Sequence, residues 1–254
     1  MSASGERRRS EADAPVRRVL ISGGTSGIGR ACAERLLAAG HRVWILGSTA
    51  ESVSSAQESI RPTGATACDV SDALAVDAAI SDAAEAMGPL DGVFVNAGID
   101  GGGTSVLDTD VEHFRRVLDV NVIGAFLVAR ATVRVLSRPG AIVLNASVNA
   151  LRPEVGFLDY NASKAAVVSI AKSLALELSA QGICVTALCP GYFPTRMTAQ
   201  YLDDPETRAD LVRKIPAGRV GELAEIAALV DYLLSPHAAY MTGSIVSIDG
   251  GASV

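Results

Sequence analysis

The stretch Ser22-Gly23-Gly24-Thr25-Ser26-Gly27-Ile28-Gly29 decides the fold. An apolar run at residues 19–21 leads into it, and a helical pattern at residues 27–39 leads out. Glycines at 23, 27 and 29 permit a tight turn and let the backbone approach a bound anion. The helix start supplies free N–H groups and the positive end of its dipole. A strand-to-helix turn can need glycines for steric reasons alone. With the strand before and the helix after both in place, the pattern reads as a dinucleotide phosphate cradle. Gly23, Thr25, Ser26, Gly27, Ile28 and Gly29 are its candidate residues.

Outward from this turn, short apolar runs alternate with helical patterns. The runs cover residues 19–21, 43–46, 66–70, 92–96, 141–147, 183–189 and 244–248. They are rich in β-branched residues and nearly continuous in apolarity, as strands covered on both faces are. Helical patterns fall at residues 27–39, 49–60, 72–87, 111–137, 157–180 and 222–234. This alternation, with no repeat and no Pro/Gly linker, predicts a doubly wound parallel sheet of about seven strands with helices on both faces. One domain is expected over residues 16–254, behind a disordered leader at residues 1–15. Ser71 is expected to cap a helix starting at Asp72, with Gly88-Pro89 ending it. Gly40 and Gly182 fall just past helix ends, where left-handed backbone suits glycine. The connection at residues 192–216 is the one long irregular segment, and its place after a strand suggests a functional lid.

Composition excludes several classes. The chain has 254 residues, 49% hydrophobic and 20% charged, enough for a core without metals or disulfides. A net charge of −6 and a pI near 5.1 argue against nucleic acid or anionic membrane as partners. The basic cluster Arg7-Arg8-Arg9 is diluted by Glu6, Glu11 and Asp13 and reads as a solvated leader. No apolar stretch approaches the roughly 18 residues that cross a bilayer, and no signal-peptide core follows the arginines. A cytoplasmic protein is expected. Cys32, Cys68, Cys184 and Cys189 form no Cys-x-x-Cys pair, and the three histidines are isolated, so no metal site is supported.

Asp159-Tyr160-Asn161-Ala162-Ser163-Lys164 opens a helix and sets Tyr160 and Lys164 on one face, four apart. Any helix can carry such a pair by chance. Two further residues change its meaning: Ser147 at the carboxyl end of a run, and Asn121, a lone amide in an apolar stretch. In this order the four resemble the Asn, Ser, Tyr, Lys tetrad of the short-chain dehydrogenase/reductase family. The spacing of the glycine turn also resembles that family, as do Asn96-Ala97-Gly98, Pro190-Gly191, and the closing Tyr240-Met241-Thr242-Gly243 with Asp249-Gly250-Gly251. The resemblance runs from about Val16 to the C-terminus and implies a Rossmann-type fold.

It implies a chemistry as well: hydride transfer between a nicotinamide cofactor and a secondary alcohol or ketone, most simply a ketoreductase. The alkoxide left by hydride transfer needs a proton, and a free tyrosine ionises near pH 10. Bringing that to pH 7 takes roughly 4 kcal/mol. One cation about 4 Å away, at an effective dielectric near 20, supplies about that much. Lys164 is the candidate, so a downward shift of Tyr160 is expected. By resemblance, Lys164 also binds the nicotinamide ribose, Ser147 holds the substrate oxygen, and Asn121 fixes a water that passes protons to Lys164. Asn121 also reads as a buried amide that satisfies backbone groups where Gly124 loosens the helix.

An acid at the end of the second strand would select NAD. Here that strand ends Leu46-Gly47-Ser48-Thr49, and the basic residues of many NADP-dependent relatives are absent too. Ser48 and Thr49 suit a 2′-phosphate, so NADP is favoured, with NAD retained as the alternative. Asp69 and Val70 resemble adenine contacts, although Asp69 also suits a turn cap. By resemblance, Asn96, Ala97, Gly98, Pro190, Gly191, Phe193 and Thr195 line the cofactor. Phe193, Met197 and Tyr201 read either as an apolar substrate wall or as lid packing. Ser147, Asn149, Tyr160, Tyr192 and Met197 are the candidate substrate contacts, with Arg152 read as a surface arginine.

Competing readings are an epimerase, an enoyl reductase and a catalytically idle nucleotide-sensing protein. The chain has no room for the epimerases' additional domain. Enoyl reductases place six residues between tyrosine and lysine, against three here, and idle relatives lose one of the pair. Small residues Ala162, Ala165 and Ala166 on the tyrosine helix, together with its long apolar pattern, suggest a homodimer or homotetramer.

Overall fold

The computed structural model describes residues 15–254, so Arg7-Arg8-Arg9 and the leader before Pro15 lie outside the described residues. Val19, Leu20 and Ile21 are fully buried, because their strand β1 (Arg18–Ser22) has a helical layer on each face. It lies inside a seven-stranded sheet with β2 (Arg42–Gly47), β3 (Gly64–Ala67), β4 (Leu90–Val95), β5 (Leu136–Asn145), β6 (Ile183–Pro190) and β7 (Ile245–Ile248). The order is β3-β2-β1-β4-β5-β6-β7, and every pairing is parallel. Alternation along β1 sends Leu20 to one core and Val19 and Ile21 to the other. The first core is covered by α3 (Ala73–Met87), α5 (Ala125–Val133) and α6 (Leu158–Leu178). The second is covered by α1 (Gly27–Ala38), α2 (Ala50–Ile60) and α9 (Leu223–Leu233).

The doubly wound parallel sheet of seven strands is thus as expected, and the strand order reverses between β1 and β4. Crevices at such reversals, beyond the carboxyl ends of the strands, are where open α/β sheets bind ligands. The glycine turn, after β1, and Asn96, after β4, both lie there.

Four local expectations are corrected. The helix expected over residues 111–137 is instead α4 (Val111–Leu118), a wider-wound turn at Asp119–Gly124, and α5; β5 already begins at Leu136. Close packing accounts for the glycine in that turn, since a Cβ on Gly124 would lie 2.7 Å from Val70 Cγ2. The third strand covers Gly64–Ala67 rather than residues 66–70, because this half-buried edge pairs with β2 alone and Val70 turns in against Gly124. Asp72, not Ser71, caps α3: its carboxylate accepts from the Leu74 and Ala75 amides. Ser71 instead donates its hydroxyl to Asp69 at 2.6 Å. The long connection after β6 is partly ordered as two helices, α7 (Ala199–Leu202) and α8 (Pro205–Arg213).

At Gly29 the turn and helix touch: a Cβ there would fall 2.2 Å from the Gly23 carbonyl oxygen and 2.6 Å from Asn96 Nδ2. The obstacle is backbone and cannot swing away. Gly29→Ala should therefore destabilise the cofactor-free protein by about 2 kcal/mol or more, read as a lower urea midpoint.

Candidate active site

Ser22 and Asn145 end β1 and β5, Asn96 follows β4 between them, and their hydrogen bonds join the glycine turn to α6. Asn96 Nδ2 donates to the carbonyls of Ser22 and Gly23, at 3.1 and 3.0 Å. Asn145 Nδ2 donates to Asn96 Oδ1 at 2.9 Å, and the Asn145 carbonyl accepts from Lys164 Nζ at 2.9 Å. Asn145 was not singled out from sequence. It sat inside an apolar run, and only the register of β4 against β5 sets it beside Asn96.

Lys164 is 4% exposed, and Asn145 is the one protein acceptor of its ammonium among the described residues. An ammonium has three donors, so two have no protein acceptor among the described residues. Desolvation pushes the Lys164 pKa down to about 8, with the nearby Cys189 and Asp100 opposing. Its Nζ stands 5.5 Å from the centre of the Tyr160 ring. Tyr160 is half-buried at a cavity of about 500 Å³ that it shares with Ser147, Asn149, Tyr192 and Met197.

The Tyr160 pKa is raised, against the expected fall. Burial is the first cause, and the carboxylates of Asp100 and Glu154 add to it; the hydroxyl of Ser147 pulls the other way. In the protein without cofactor, the lysine charge lies over the ring and does not offset desolvation. Ser147 Oγ accepts from the Asn149 amide at 3.1 Å, which orients it.

Asn121, buried in the wide turn, gives Nδ2 to the Ile99 carbonyl (3.0 Å) and to Ser163 Oγ (3.1 Å). Its Oδ1 accepts from the Ile99 amide at 2.8 Å. The side chain therefore satisfies backbone groups, as the simpler reading had it. Ser163 in turn donates to the Tyr160 carbonyl at 2.7 Å, so Asn121 braces the first turn of α6.

On the cofactor side, α1 begins at Gly27, and the preceding Ser26 makes no side-chain cap. The Gly27, Ile28 and Gly29 amides remain open for an anion, as a pyrophosphate requires. Thr195 reaches the same turn, since a Cβ on Gly27 would meet its Cγ2 at 3.2 Å. A Cβ on Gly98 would sit 3.5 Å from Lys164 Nζ, so the Ala97-Gly98 backbone borders the same crevice. Gly191 approaches Asp249 as closely, at 2.8 Å from a would-be Cβ to Asp249 Cα, next to Pro190 at the end of β6. Ser48 and Thr49 are exposed after β2, with the Thr49 hydroxyl already accepting from the Ser52 amide. The Asp69 carboxylate takes the Ser71 amide and hydroxyl and pairs with Arg116 at 3.2 Å. These residues fit a dinucleotide.

For Phe193 the packing alternative holds and the substrate wall does not. It is 2% exposed and packs on Gly221, where a Cβ would strike its ring at 2.3 Å. Its side chain belongs to the core and leaves only its backbone for a ligand. Tyr201 does line the cavity, but as a polar group, donating to Asp100 Oδ2 at 3.1 Å. Arg152 is exposed and donates to the Ala252 carbonyl at 2.6 Å.

A family model described as enoyl-(acyl carrier protein) reductase matches residues 23–253. The chain is 36% identical over 241 residues to the 3-oxoacyl-[acyl-carrier-protein] reductase MabA of Mycobacterium tuberculosis, covering 92% of each. A solved variant of the actinorhodin polyketide ketoreductase with NADPH superposes with a TM-score of 0.88 at 30% identity, over 94% of this chain and 97% of that one. The 3-ketoacyl-(acyl-carrier-protein) reductase of Brucella melitensis, complexed with NADH, does so with a TM-score of 0.86 at 31% identity, over 93% and 98%. The chain belongs to the short-chain dehydrogenase/reductase family. It is an NAD(P)-dependent oxidoreductase acting on CH–OH groups. No helix among the described residues is long and apolar enough to cross a membrane, and no group of metal-binding side chains occurs among them.

Lys164 permits a test of cost against use. Its folded pKa lies below the ordinary 10.5, so folding disfavours the charged form. That cost is fully present below about pH 8 and is relieved as pH rises through the folded and then the unfolded value. A depression of this size corresponds to roughly 3 kcal/mol at neutral pH. Lys164→Met should then abolish activity yet leave the thermal midpoint at pH 7 equal to or above that of the parent.

Proposed function

We propose that this protein is an NADP(H)-dependent ketoreductase in which Tyr160 protonates the substrate oxygen, Ser147 holds that oxygen, and Lys164 binds the nicotinamide ribose. One observation carries the reading: two hydroxyls, those of Ser147 and Tyr160, face one cavity with a buried, under-partnered ammonium beside them. When bound, the dinucleotide supplies the hydride and, once oxidised, a positive charge next to the tyrosine.

The residues divide the remaining work. The open amides of Gly27, Ile28 and Gly29 take the pyrophosphate, with Gly23 giving the turn and Thr25 and Ser26 flanking it. Thr195 comes over that turn, and Ala97, Gly98 and Gly191 border the nicotinamide crevice. Lys164, fixed on the Asn145 carbonyl, turns its two remaining N–H groups to the ribose hydroxyls. Ser147 donates to the carbonyl oxygen and polarises it. Tyr160, kept protonated at neutral pH by burial and by the nearby carboxylates, gives its proton as negative charge develops on that oxygen. Asn121 acts at one remove by bracing Ile99 and α6. Asn149, Tyr192 and Met197 contact the rest of the substrate.

The preference for NADP rests on Gly47. A Cβ there would lie 2.5 Å from Thr25 Cγ2 and 2.8 Å from Val53 Cγ2, so no acid fits to repel a 2′-phosphate. Asp69, two residues past the end of β3, is paired with Arg116. A homodimer or homotetramer in the cytoplasm is proposed with it. Leu158 and Leu176 are exposed on the face of α6 that carries Ala162 and Ala165, and Ile123 and Phe126 are exposed on the wide turn and α5.

Fluorescence titration with NADPH and NADH tests the cofactor: about tenfold tighter NADPH, or 1.4 kcal/mol, is expected, and tighter NADH reverses the assignment. Tyr160→Phe should abolish turnover and leave NADPH affinity within about twofold; substantial residual activity would sink the tyrosine's role. Because the raised Tyr160 pKa keeps its proton at neutral pH, the reductive rate should be flat from about pH 6 to 8. The oxidative rate, which needs the phenolate, should climb with alkali over the same range.

A further inference from the structure

The cavity above Ser147 and Tyr160 is uneven in charge. Asp100 enters it from the connection after β4, and Glu154 from the segment before α6. Both are half-buried, and neither forms an ion pair among the described residues. Their hydrogen bonding is met by neutral donors. Asp100 accepts from the Gly101 amide at 2.9 Å, from Tyr201 at 3.1 Å and from Gln200 at 3.3 Å. Glu154 accepts from the Tyr192 hydroxyl and, at 3.4 Å, from Asn149 Nδ2.

Neutral donors satisfy lone pairs but leave the charge in place. Two carboxylates without a salt-bridge partner in a confined cavity are costly, and in such a space their field is focused. The buried Lys164 ammonium attracts Asp100 but gives its hydrogen bond to the Asn145 carbonyl. The lining does include two cations, Arg152 and Lys214, yet both are exposed. Arg152 is also engaged with the Ala252 carbonyl. Solvent therefore screens the basic groups, while the acidic ones act on whatever occupies the space over the tyrosine. An anionic group next to the reacting carbon would be repelled there, a hydroxyl would find hydrogen-bond partners without a charge to match, and an ammonium would meet both acceptors and opposite charge. The tyrosine hydroxyls also hold the carboxylates in place in advance, so little ordering accompanies binding.

We infer that Asp100 and Glu154 are specificity-determining residues that select a ketone carrying an ammonium group close to its carbonyl. The inference rests on the ketoreductase reading and names the substrate class of that same site.

Four aromatic ketones that differ at one carbon test it: 2-aminoacetophenone, propiophenone, 2-hydroxyacetophenone and benzoylacetate, with NADPH consumption as the readout. For the native protein, kcat/KM should be about tenfold higher for the amine than for either neutral ketone, and lowest for benzoylacetate. The difference should sit mainly in KM. Asp100→Asn with Glu154→Gln should bring the ratio of amine to propiophenone close to one. Because it is a ratio, it does not depend on how much of the variant folds. Propiophenone or 2-hydroxyacetophenone turned over as well as the amine, or a ratio unmoved in the double variant, overturns the inference and leaves the ketoreductase standing. Consumption with none of the four overturns both.

Discussion

The hydrogen bond from Lys164 to the Asn145 carbonyl ties the catalytic end of the molecule together. An ammonium that is 4% exposed needs an acceptor, and the last residue of β5 supplies it. That bond fixes the height of α6 over the sheet. Through the four-residue spacing it also fixes Tyr160, one turn back on the same face. Asn145 then reaches sideways to Asn96, and Asn96 to the Gly23 carbonyl. A single parallel register, from β1 through β4 to β5, thus sets the glycine turn and Tyr160 in one frame.

Charge around Tyr160 is arranged differently from what the lysine alone would suggest. Four kcal/mol of help from a nearby cation assumed a lysine beside the phenolic oxygen. In the structure Nζ lies over the ring, 5.5 Å from its centre, and desolvation dominates. The two carboxylates in the cavity push in the same direction as burial. The resting site therefore keeps its proton, which suits donation more than abstraction. A positive charge arriving with an oxidised cofactor would act against that bias, so the two directions of the reaction begin from different electrostatic states.

Much of this was legible in the sequence because it depends on local pattern. The β-branched runs gave the sheet, and the glycines marked the tight turn between β1 and α1. The Tyr160–Lys164 spacing needs only a helix. What escaped depends on contact between distant segments. The break of the helix at Asp119–Gly124 follows from Val70 pressing on Gly124 and from Asn121 pairing with Ile99. Pattern alone leaves Phe193 open between pocket wall and packing, because aromatic side chains in such a connection do either. Gly221, 28 positions later, makes the slot that buries it. Tyr201 was read as apolar, yet its hydroxyl decides its role once Asp100 stands opposite. Propensity has no access to such pairings.

Gly47 shows how one small residue ties packing to specificity. From sequence it was an absence, an acid missing from the end of the second strand. In the structure the absence has a cause: Thr25 of the phosphate turn, Val53 and Ser52 of α2 occupy the volume that any side chain would need, at 2.5, 2.8 and 3.0 Å. An acid placed there alone would displace the glycine turn itself. The proposed preference for NADP would thus rest on how tightly β2 and α2 close on the glycine turn, and a variant meant to take an acid at Gly47 has to begin with Thr25 and Val53 rather than with the charge.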